Sequence, residues 1–196
     1  DREGGEHDHD ELVRAAEQIP AGSEELIFLP FLGGTFTPPN ERVRARWCGL
    51  DWKHSVYHLY RSVLESIAYE YAYYHGIYSE ISAGAPCRSV TVAGSGKKNA
   101  LWNRIKADVL GCDYLCLNRD DHENLGTALV AAHAVGLTTD IRGSLRNCLE
   151  VERRFSPVVE NAAAYERMFQ RYLKYREEAM MGSVQAMRQE GAGRGA

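Results

Sequence analysis

A short strand, a glycine turn and a helix follow one another in the middle of this sequence, and this order constrains the fold more than any other feature. The apolar run 90–93 is cut off by Gly94, which predicts a buried strand that ends in a turn. Asn99 suits the N-cap of the helix that follows, and Gly111 suits the position that ends it. The run 114–117 predicts the next strand, so the whole forms a β–turn–α–β unit.

The turn of this unit, Gly94-Ser95-Gly96, lies where α/β proteins bind nucleotides. Small residues let a ligand approach the backbone closely, and the free N–H groups at a helix start favour an anionic or hydrogen-bonding ligand. The turn lacks the third glycine of the dinucleotide fingerprint and the Lys-Ser/Thr pair of a P-loop, so neither motif is present. On spacing alone, a ligand loop and a plain structural turn both remain open.

Composition narrows the class of protein. With 196 residues, of which 44% are apolar, the chain is long enough for one domain with a sizeable core. The five cysteines form no C-x-x-C pair and no apolar signal region begins the sequence, so we expect reduced thiols in a cytoplasm. No apolar run approaches the roughly 20 residues of a membrane span. A net charge of −4 without a basic stripe predicts no binding to nucleic acid or anionic lipid.

The remaining elements follow from hydrophobic spacing. Residues 55–75 predict a long core helix that Gly76 ends. The Ala- and Gly-rich stretch 125–136 predicts a helix packed closely enough against a neighbour to be buried. The other predicted elements are a helix at 10–18, strands at 26–32 and 47–50, a loop at 33–40 and a last helix that ends near Met180.

The two ends of the chain are predicted to lie outside the domain. Residues 1–9 predict a disordered acidic leader and residues 181–196 a flexible tail, which leaves residues 10–180 as one domain. His54 and His58, four residues apart, are considered as zinc ligands, but no Glu follows His54 and no third ligand is evident. We therefore expect no metal site in this chain.

The stretch from Ala45 to Glu65 resembles the second signature of the FGGY family of carbohydrate kinases. That signature has a small residue, an aromatic residue and Gly-Leu at two-residue steps, then, after a spacer, a polar residue, an apolar residue and a small-aliphatic-aliphatic-acidic run. The matching residues here are Ala45, Trp47, Gly49, Leu50, His58, Leu59, Ser62, Val63, Leu64 and Glu65. The pattern has no violation.

The resemblance covers roughly residues 10–180 and is closest to the xylulose-kinase-like branch. Residues 28–38 look like the loop ahead of the signature, residues 94–111 like the adenosine motif, and residues 123–128 like the second connecting motif. Thr35-Phe36 stands where that branch commonly has Glu-Arg. Asn40-Glu41 stands where it has Asp-Pro, so the particular sugar stays open.

The family resemblance implies an α/β fold, an actin-like, ribonuclease-H-like domain whose first strands precede residue 1. It implies the C-terminal, ATP-binding part of a kinase that transfers the γ-phosphate of ATP, with Mg²⁺, to a hydroxyl of a ketopentose such as xylulose or a related polyol. The N-terminal kinase domain, with its Asp-x-Gly-Thr hairpin, sugar pocket and catalytic Asp, has no counterpart in these residues. We therefore expect no catalytic residue and no turnover in this chain alone, and a homodimer stays open.

The same resemblance implies roles for particular residues. Gly94, Ser95 and Gly96 would present backbone to the adenine and ribose, and Asn99 would offer its amide to the base edge. Glu123 and Gly126 would support the nucleotide or the cleft.

Two other readings stay open. A Rossmann-like transferase would use the glycine turn for a cofactor and Asp120 or Asp121 for its ribose, but this leaves the 45–65 pattern unexplained. Acidic residues at 120–123 are also considered as Mg²⁺ ligands or as plain helix caps. A non-catalytic nucleotide-binding or interaction module is the remaining alternative, since the catalytic half of the kinase is missing.

Overall fold

The computed structural model describes residues 9–36, 39–82, 84 and 87–193. The helices of this part are α1 (His9–Glu17), α2 (Val56–Ile81), α3 (Ala100–Leu110), α4 (His122–Ala134), α5 (Ile141–Cys148) and α6 (Val159–Gly193). The strands are β1 (Ile27–Leu29), β2 (Thr35–Phe36), β3 (Pro39–Asn40), β4 (Arg46–Cys48), β5 (Ser89–Val92), β6 (Asp113–Leu117) and β7 (Val151–Phe155). Helices and strands therefore share the chain as they do in α/β proteins.

Strands β5, β6 and β7 form a mixed sheet with β6 at its centre. β5 and β6 run parallel, with Ser89 opposite Asp113 and Val92 opposite Cys116, and α3 connects them. β7 pairs with the other side of β6 in the antiparallel direction. The predicted β–turn–α–β unit is therefore confirmed. β1 pairs with β4 and β2 pairs with β3, each pair antiparallel.

Helix α3 packs on two sides. The main hydrophobic core is formed by α1, α2, α3, α6 and β1, and its buried side chains include Leu29, Leu64, Tyr69, Ile105, Tyr165, Met168 and Tyr172. A second cluster lies between α3 and the mixed sheet, where Ala107, Cys112 and Tyr114 are buried. Close packing on both sides holds α3, and hence the glycine turn before it, in one position.

Glu65, the acidic residue that closes the signature pattern, joins α2 to the segment before β1. Its carboxylate is 1% exposed and accepts hydrogen bonds from the Gly22 N–H at 3.0 Å, the Ser23 hydroxyl at 2.7 Å and the Arg61 Nε at 2.8 Å. Arg61 also donates to the Ala16 carbonyl and to the Tyr165 hydroxyl. Burial raises the pKa of Glu65, and the Arg61 charge opposes that rise. This buried pair connects α1, α2 and α6.

The predicted end of α2 was wrong, because the helix continues through Gly76 to Ile81. A single glycine inside a helix costs only about 1 kcal/mol, so it does not have to end one. The glycine that terminates this helix is Gly84, whose φ is +76° and whose N–H donates to the Ser79 carbonyl at 2.8 Å. A glycine therefore does follow the end of α2, but it is Gly84, eight positions after the predicted Gly76.

Two further helices differ from the prediction. No residue of α4 is buried, so the expectation of a buried helix was wrong; small residues permit close packing but do not themselves supply a neighbour, and α4 packs mainly on α5. Helix α6 ends at Gly193 and not near Met180. Of the predicted leader 1–9, residues 1–8 lie outside the described part of the chain, and His9 already belongs to α1.

The strand predictions at 26–32 and 47–50 are confirmed in position by β1 and β4, which are shorter than the apolar runs. Pro30 directly follows β1, as expected for a residue that cannot donate to a strand ladder. The predicted loop at 33–40 contains the two-residue strands β2 and β3. Residues 37–38 of that loop lie outside the described residues.

Candidate functional site

The glycine turn forms one short 3-10 turn, Gly94–Lys97, between β5 and α3. Gly94 has a φ of +69°, a conformation that residues with a Cβ adopt at a cost. Asn103 of α3 is fully buried and donates from Nδ2 to the carbonyls of Gly96 and Lys97, each at 3.2 Å. The Lys97 carbonyl also accepts a hydrogen bond from Arg153 of β7 at 2.8 Å, so the turn is held from both α3 and the mixed sheet.

Asn99 caps α3, as the sequence predicts. Its Oδ1 accepts a hydrogen bond from the Trp102 N–H at 3.0 Å, and its Nδ2 donates to the Tyr60 hydroxyl at 3.1 Å. These two bonds use the amide oxygen and one of its two N–H groups. One amide hydrogen is left for a ligand, so the predicted contact with a base edge is restricted to that single donor.

A cavity of about 590 Å³ lies beside the turn. Its lining residues come from the turn and α3 on one side and from α1 and α2 on the other: His9, Asp10, Val13, Tyr60, Leu64, Ser95, Gly96, Lys98, Asn99, Ala100 and Trp102. The structure thus brings Ser95, Gly96 and Asn99 together on one cavity wall, with Gly94 immediately before them. The opposite wall, from α1 and α2, was not expected from the sequence, because contacts between distant helices leave no local signal.

Lys97 lies behind the turn as a buried cation whose two carboxylate partners are half-exposed. It is 7% exposed, and its Nζ donates to the Leu117 carbonyl at 2.9 Å and contacts Asp120 at 2.9 Å and Glu152 at 3.2 Å. The hydrogen bond to Asp120 raises the pKa of Lys97, and the same bond lowers the pKa of Asp120. Lys97 therefore ties the turn to β6 and β7. Sequence reasoning missed it, because Glu152 lies far along the chain.

The two acidic residues before α4 also form ion pairs with neighbouring side chains. Asp121 accepts hydrogen bonds from Arg119 at 2.9 and 2.7 Å, and Asp120 is held by Lys97. Neither carboxylate lines the cavity, which weighs against the Rossmann-like reading that needs one of them on a ribose. Glu123 and Gly126 lie on the first turns of α4 and do not line the cavity either. Their supporting role stays a prediction.

The two histidines considered as zinc ligands serve the start of α2 instead. The Nδ1 of His54 accepts from the Asp51 N–H at 2.9 Å, and the Nδ1 of His58 accepts from the Ser55 N–H at 3.1 Å. Ser55 and His58 form a reciprocal capping box. Within the described ranges, no group of three His, Cys, Asp or Glu side chains is placed to hold a metal ion. None of the helices in these ranges is long and apolar enough to cross a membrane.

The mixed sheet with its packed helices defines an α/β domain of the actin-like, ribonuclease-H-like class, and solved structures share this fold. Xylulose kinase from Rhodospirillum rubrum superposes with a TM-score of 0.78 at 23% identity, covering 93% of this chain and 36% of that one. Plasmodium falciparum glycerol kinase with ADP superposes with a TM-score of 0.72 at 15% identity, covering 86% of this chain and 34% of that one. The predicted fold class is confirmed.

The chain belongs to the FGGY family of carbohydrate kinases. The sequence profile of that family's C-terminal domain matches residues 2–135. Xylulose kinase from Escherichia coli strain K12 is 30% identical over 159 residues, which are 79% of this chain and 32% of the relative. The chain spans about a third of the length of the curated relatives that it matches. The family predicted from the signature at 45–65 is therefore confirmed.

Proposed function

We propose that this chain is the ATP-binding part of a kinase that phosphorylates a hydroxyl of a ketopentose such as xylulose, or of a related sugar or polyol. One observation carries the proposal: in a C-terminal domain of a carbohydrate kinase, a cavity of about 590 Å³ lies directly beside the glycine turn that begins α3. This volume falls in the range of about 300–1,000 Å³ that is usual for small-molecule sites.

The residues around the cavity fit a nucleotide. Gly94 and Gly96 have no side chain and Ser95 has a small one, so the adenine and ribose can approach the backbone closely. Asn99 offers its remaining amide hydrogen to the base edge. Lys98 lines the cavity and its side chain is 70% exposed, although its Nζ lies 3.8 Å from the half-exposed carboxylate of Asp120. Because an exposed ion pair of this kind is weak, Lys98 is the cation of the turn that can reach a phosphate.

The remaining parts of the reaction are assigned to the longer protein. When bound, ATP supplies the transferred phosphoryl group, and Mg²⁺ neutralises charge on its phosphates. The residues of this chain bind and orient the nucleotide, and the base that accepts the proton of the sugar hydroxyl belongs to an N-terminal kinase domain. The isolated chain should therefore bind nucleotide without transferring phosphate. A homodimer is a further proposed state of the longer protein.

The nucleotide proposal is tested by calorimetric titration of the 196-residue chain with ADP and with adenosine. Lys98→Met should raise the Kd for ADP about tenfold, equivalent to about 1.4 kcal/mol, because a charge-assisted contact to phosphate is lost. The Kd for adenosine should not change. Lys174→Met, at an exposed position of α6, is the matched control and should change neither constant.

Failure of the wild-type chain to bind either compound would contradict the proposal. An equal loss of affinity for ADP and adenosine in Lys98→Met would indicate a disturbed turn and no phosphate contact. The sugar is tested separately on the longer enzyme, where xylulose-dependent release of ADP is the expected result.

A further inference from the structure

Two cysteines meet where the parallel strands β5 and β6 begin. Cys87 lies two residues before β5, and Cys112 lies one residue before β6. The strand register, continued backwards from Ser89 opposite Asp113, offsets the two cysteines by one residue on neighbouring strands. Strands about 4.8 Å apart with an offset of about 3.3 Å give a Cα separation of about 6 Å. A disulfide spans Cα atoms about 4.4–6.8 Å apart, so the backbone suits one here.

The two thiols also share one environment. Both side chains pack in the cluster between α3 and the mixed sheet, where Cys112 is 3% exposed and Cys87 is half-buried at the border. Burial raises the pKa of the Cys112 thiol, and Cys87 adds to this rise through its charge and through a side-chain hydrogen bond. Burial likewise raises the pKa of Tyr114, and both thiols add to that rise. The two sulfur atoms are therefore neighbours, and both are free thiols.

The other cysteines lie elsewhere in the fold. Cys116 follows Cys112 by four residues in the same region of β6, and four residues of a strand span about 13 Å, which is too far for a disulfide. Cys48 packs against the main core, and Cys148 ends α5. Among the described residues, Cys87 and Cys112 are thus the two cysteines that the fold brings together.

We propose that Cys87 and Cys112 form a reversible oxidation site, at which a small disulfide such as oxidised glutathione converts the two thiols into one disulfide bond. Cys87 reacts first, because it is half-buried whereas Cys112 is closed off. Its thiolate attacks one sulfur of the small disulfide, which breaks that S–S bond, joins one half to Cys87 and releases the other half as a thiol.

The second step closes the protein disulfide. The sulfur of Cys112 attacks that of Cys87 and displaces the remaining small thiol, and the protons of the two cysteines end on the two released thiols. Two protein thiols are oxidised, and one small disulfide is reduced to two thiols. Because Cys112 must lose its proton in a buried place, this step should be the slower one and should become faster as the pH rises.

The disulfide would enclose residues 87–112, which contain β5, the glycine turn and α3. A cross-link restricts the unfolded chain, so oxidation should stabilise this unit. The two sulfur atoms lie at the start of β5, whereas the turn follows its end, and neither cysteine lines the nucleotide cavity. Oxidation should therefore leave the cavity open, and the inference does not depend on what binds there.

The test treats the 196-residue chain with oxidised glutathione, alkylates the remaining thiols in denaturant and maps the product by peptide mass spectrometry. The wild type should lose two of its five alkylatable thiols and give one cross-link, between Cys87 and Cys112. Its Tm should rise by about 5–10 °C on oxidation and return with dithiothreitol. Cys87→Ala and Cys112→Ala should each show no such rise. Cys116→Ala, buried in β6, and Cys148→Ala are controls that should keep it.

The proposal is overturned if Cys87 takes up glutathione without closing the cross-link, or if the linked peptides contain other cysteines. Disulfide-linked dimers in place of the internal bond would also overturn it. Each variant is compared with its own reduced form, so a loss of stability caused by the substitution itself does not obscure the result. A rise in Tm that persists in Cys87→Ala or Cys112→Ala, or that both controls lose, would contradict the assignment.

Discussion

Replacing Lys106, a residue of α3 buried beside the ring of Trp102, with Met should make the isolated chain more stable at pH 7, by about 1–2 kcal/mol. Burial lowers the pKa of this lysine from 10.5 to about 8, which corresponds to a penalty of about 3 kcal/mol for holding the charge in the folded state. The aromatic rings around the ammonium return about 1–2 kcal/mol of that penalty. Met removes the charge while it keeps an unbranched apolar side chain of similar length, so the net effect is a gain.

The gain should depend on pH in a defined window. The folded-state pKa lies below the unfolded-state value, so the folded protein loses this proton first as the pH rises. Below pH 8 both states carry the proton and the penalty is complete; from about pH 8 to 10.5 the unfolded state binds more protons, and the wild type gains stability as the pH rises. Burial raises the pKa of the neighbouring Tyr114 and Cys116, so these groups stay neutral over more of the window. The advantage of Lys106→Met should disappear near pH 10.5.

Urea unfolding followed by far-ultraviolet circular dichroism at pH 7, 9 and 10.5 measures this difference for the wild type, Lys106→Met and the exposed control Lys174→Met. A Met variant that is less stable than the wild type at pH 7 would refute the reasoning, as would a gain that does not change with pH.

Two further substitutions test the segment before β1 and its attachment to α2 through Glu65. Glu25 has a φ of +77°, so Glu25→Gly should stabilise the chain by about 0.5–1 kcal/mol in urea unfolding, although it loses an exposed ion pair with Arg171 at 2.8 Å. Glu25→Ala loses the same ion pair but keeps the backbone strain, so a Gly variant no more stable than the Ala variant would count against this explanation. Glu65→Gln should destabilise the chain by about 3 kcal/mol, because the buried Arg61 loses its counter-charge. Glu166→Gln on the exposed face of α6 is its control, and equal small effects from both would show that the buried pair is not structural.

Local chemistry explains what could be predicted from the sequence. The glycine at 94, the cap at Asn99 and the glycine at Gly111 each act within a few residues of their own position, and the structure places all three as expected. The end of α2 was misplaced because a glycine signal is weak unless the backbone needs a positive φ, and that need arises at Gly84 and not at Gly76. This distinction is set by tertiary structure.

What could not be predicted depends on residues that are far apart in the chain. Two such features are the ion pair between Lys97 and Glu152 and the contribution of Tyr60 to the cavity lining. Both depend on how several elements pack together in the folded chain. The exposure of α4 is another such case, because an Ala-rich pattern reports the capacity for close packing and not the presence of a neighbour. The positive φ of Gly94 also has a practical consequence: a branched residue there would be strained without any ligand, so an exposed lysine is the cleaner probe of the site.

Trp102 belongs both to the proposed nucleotide cavity and to the surroundings of Lys106. Its side chain lines the cavity, and the Lys106 ammonium lies 3.4 Å from the centroid of its ring. A cation over an aromatic face offsets part of the cost of a buried charge, so a nucleotide that displaced the ring would lose that contribution. By linkage, the charge on Lys106 therefore favours the ring position seen in this structure.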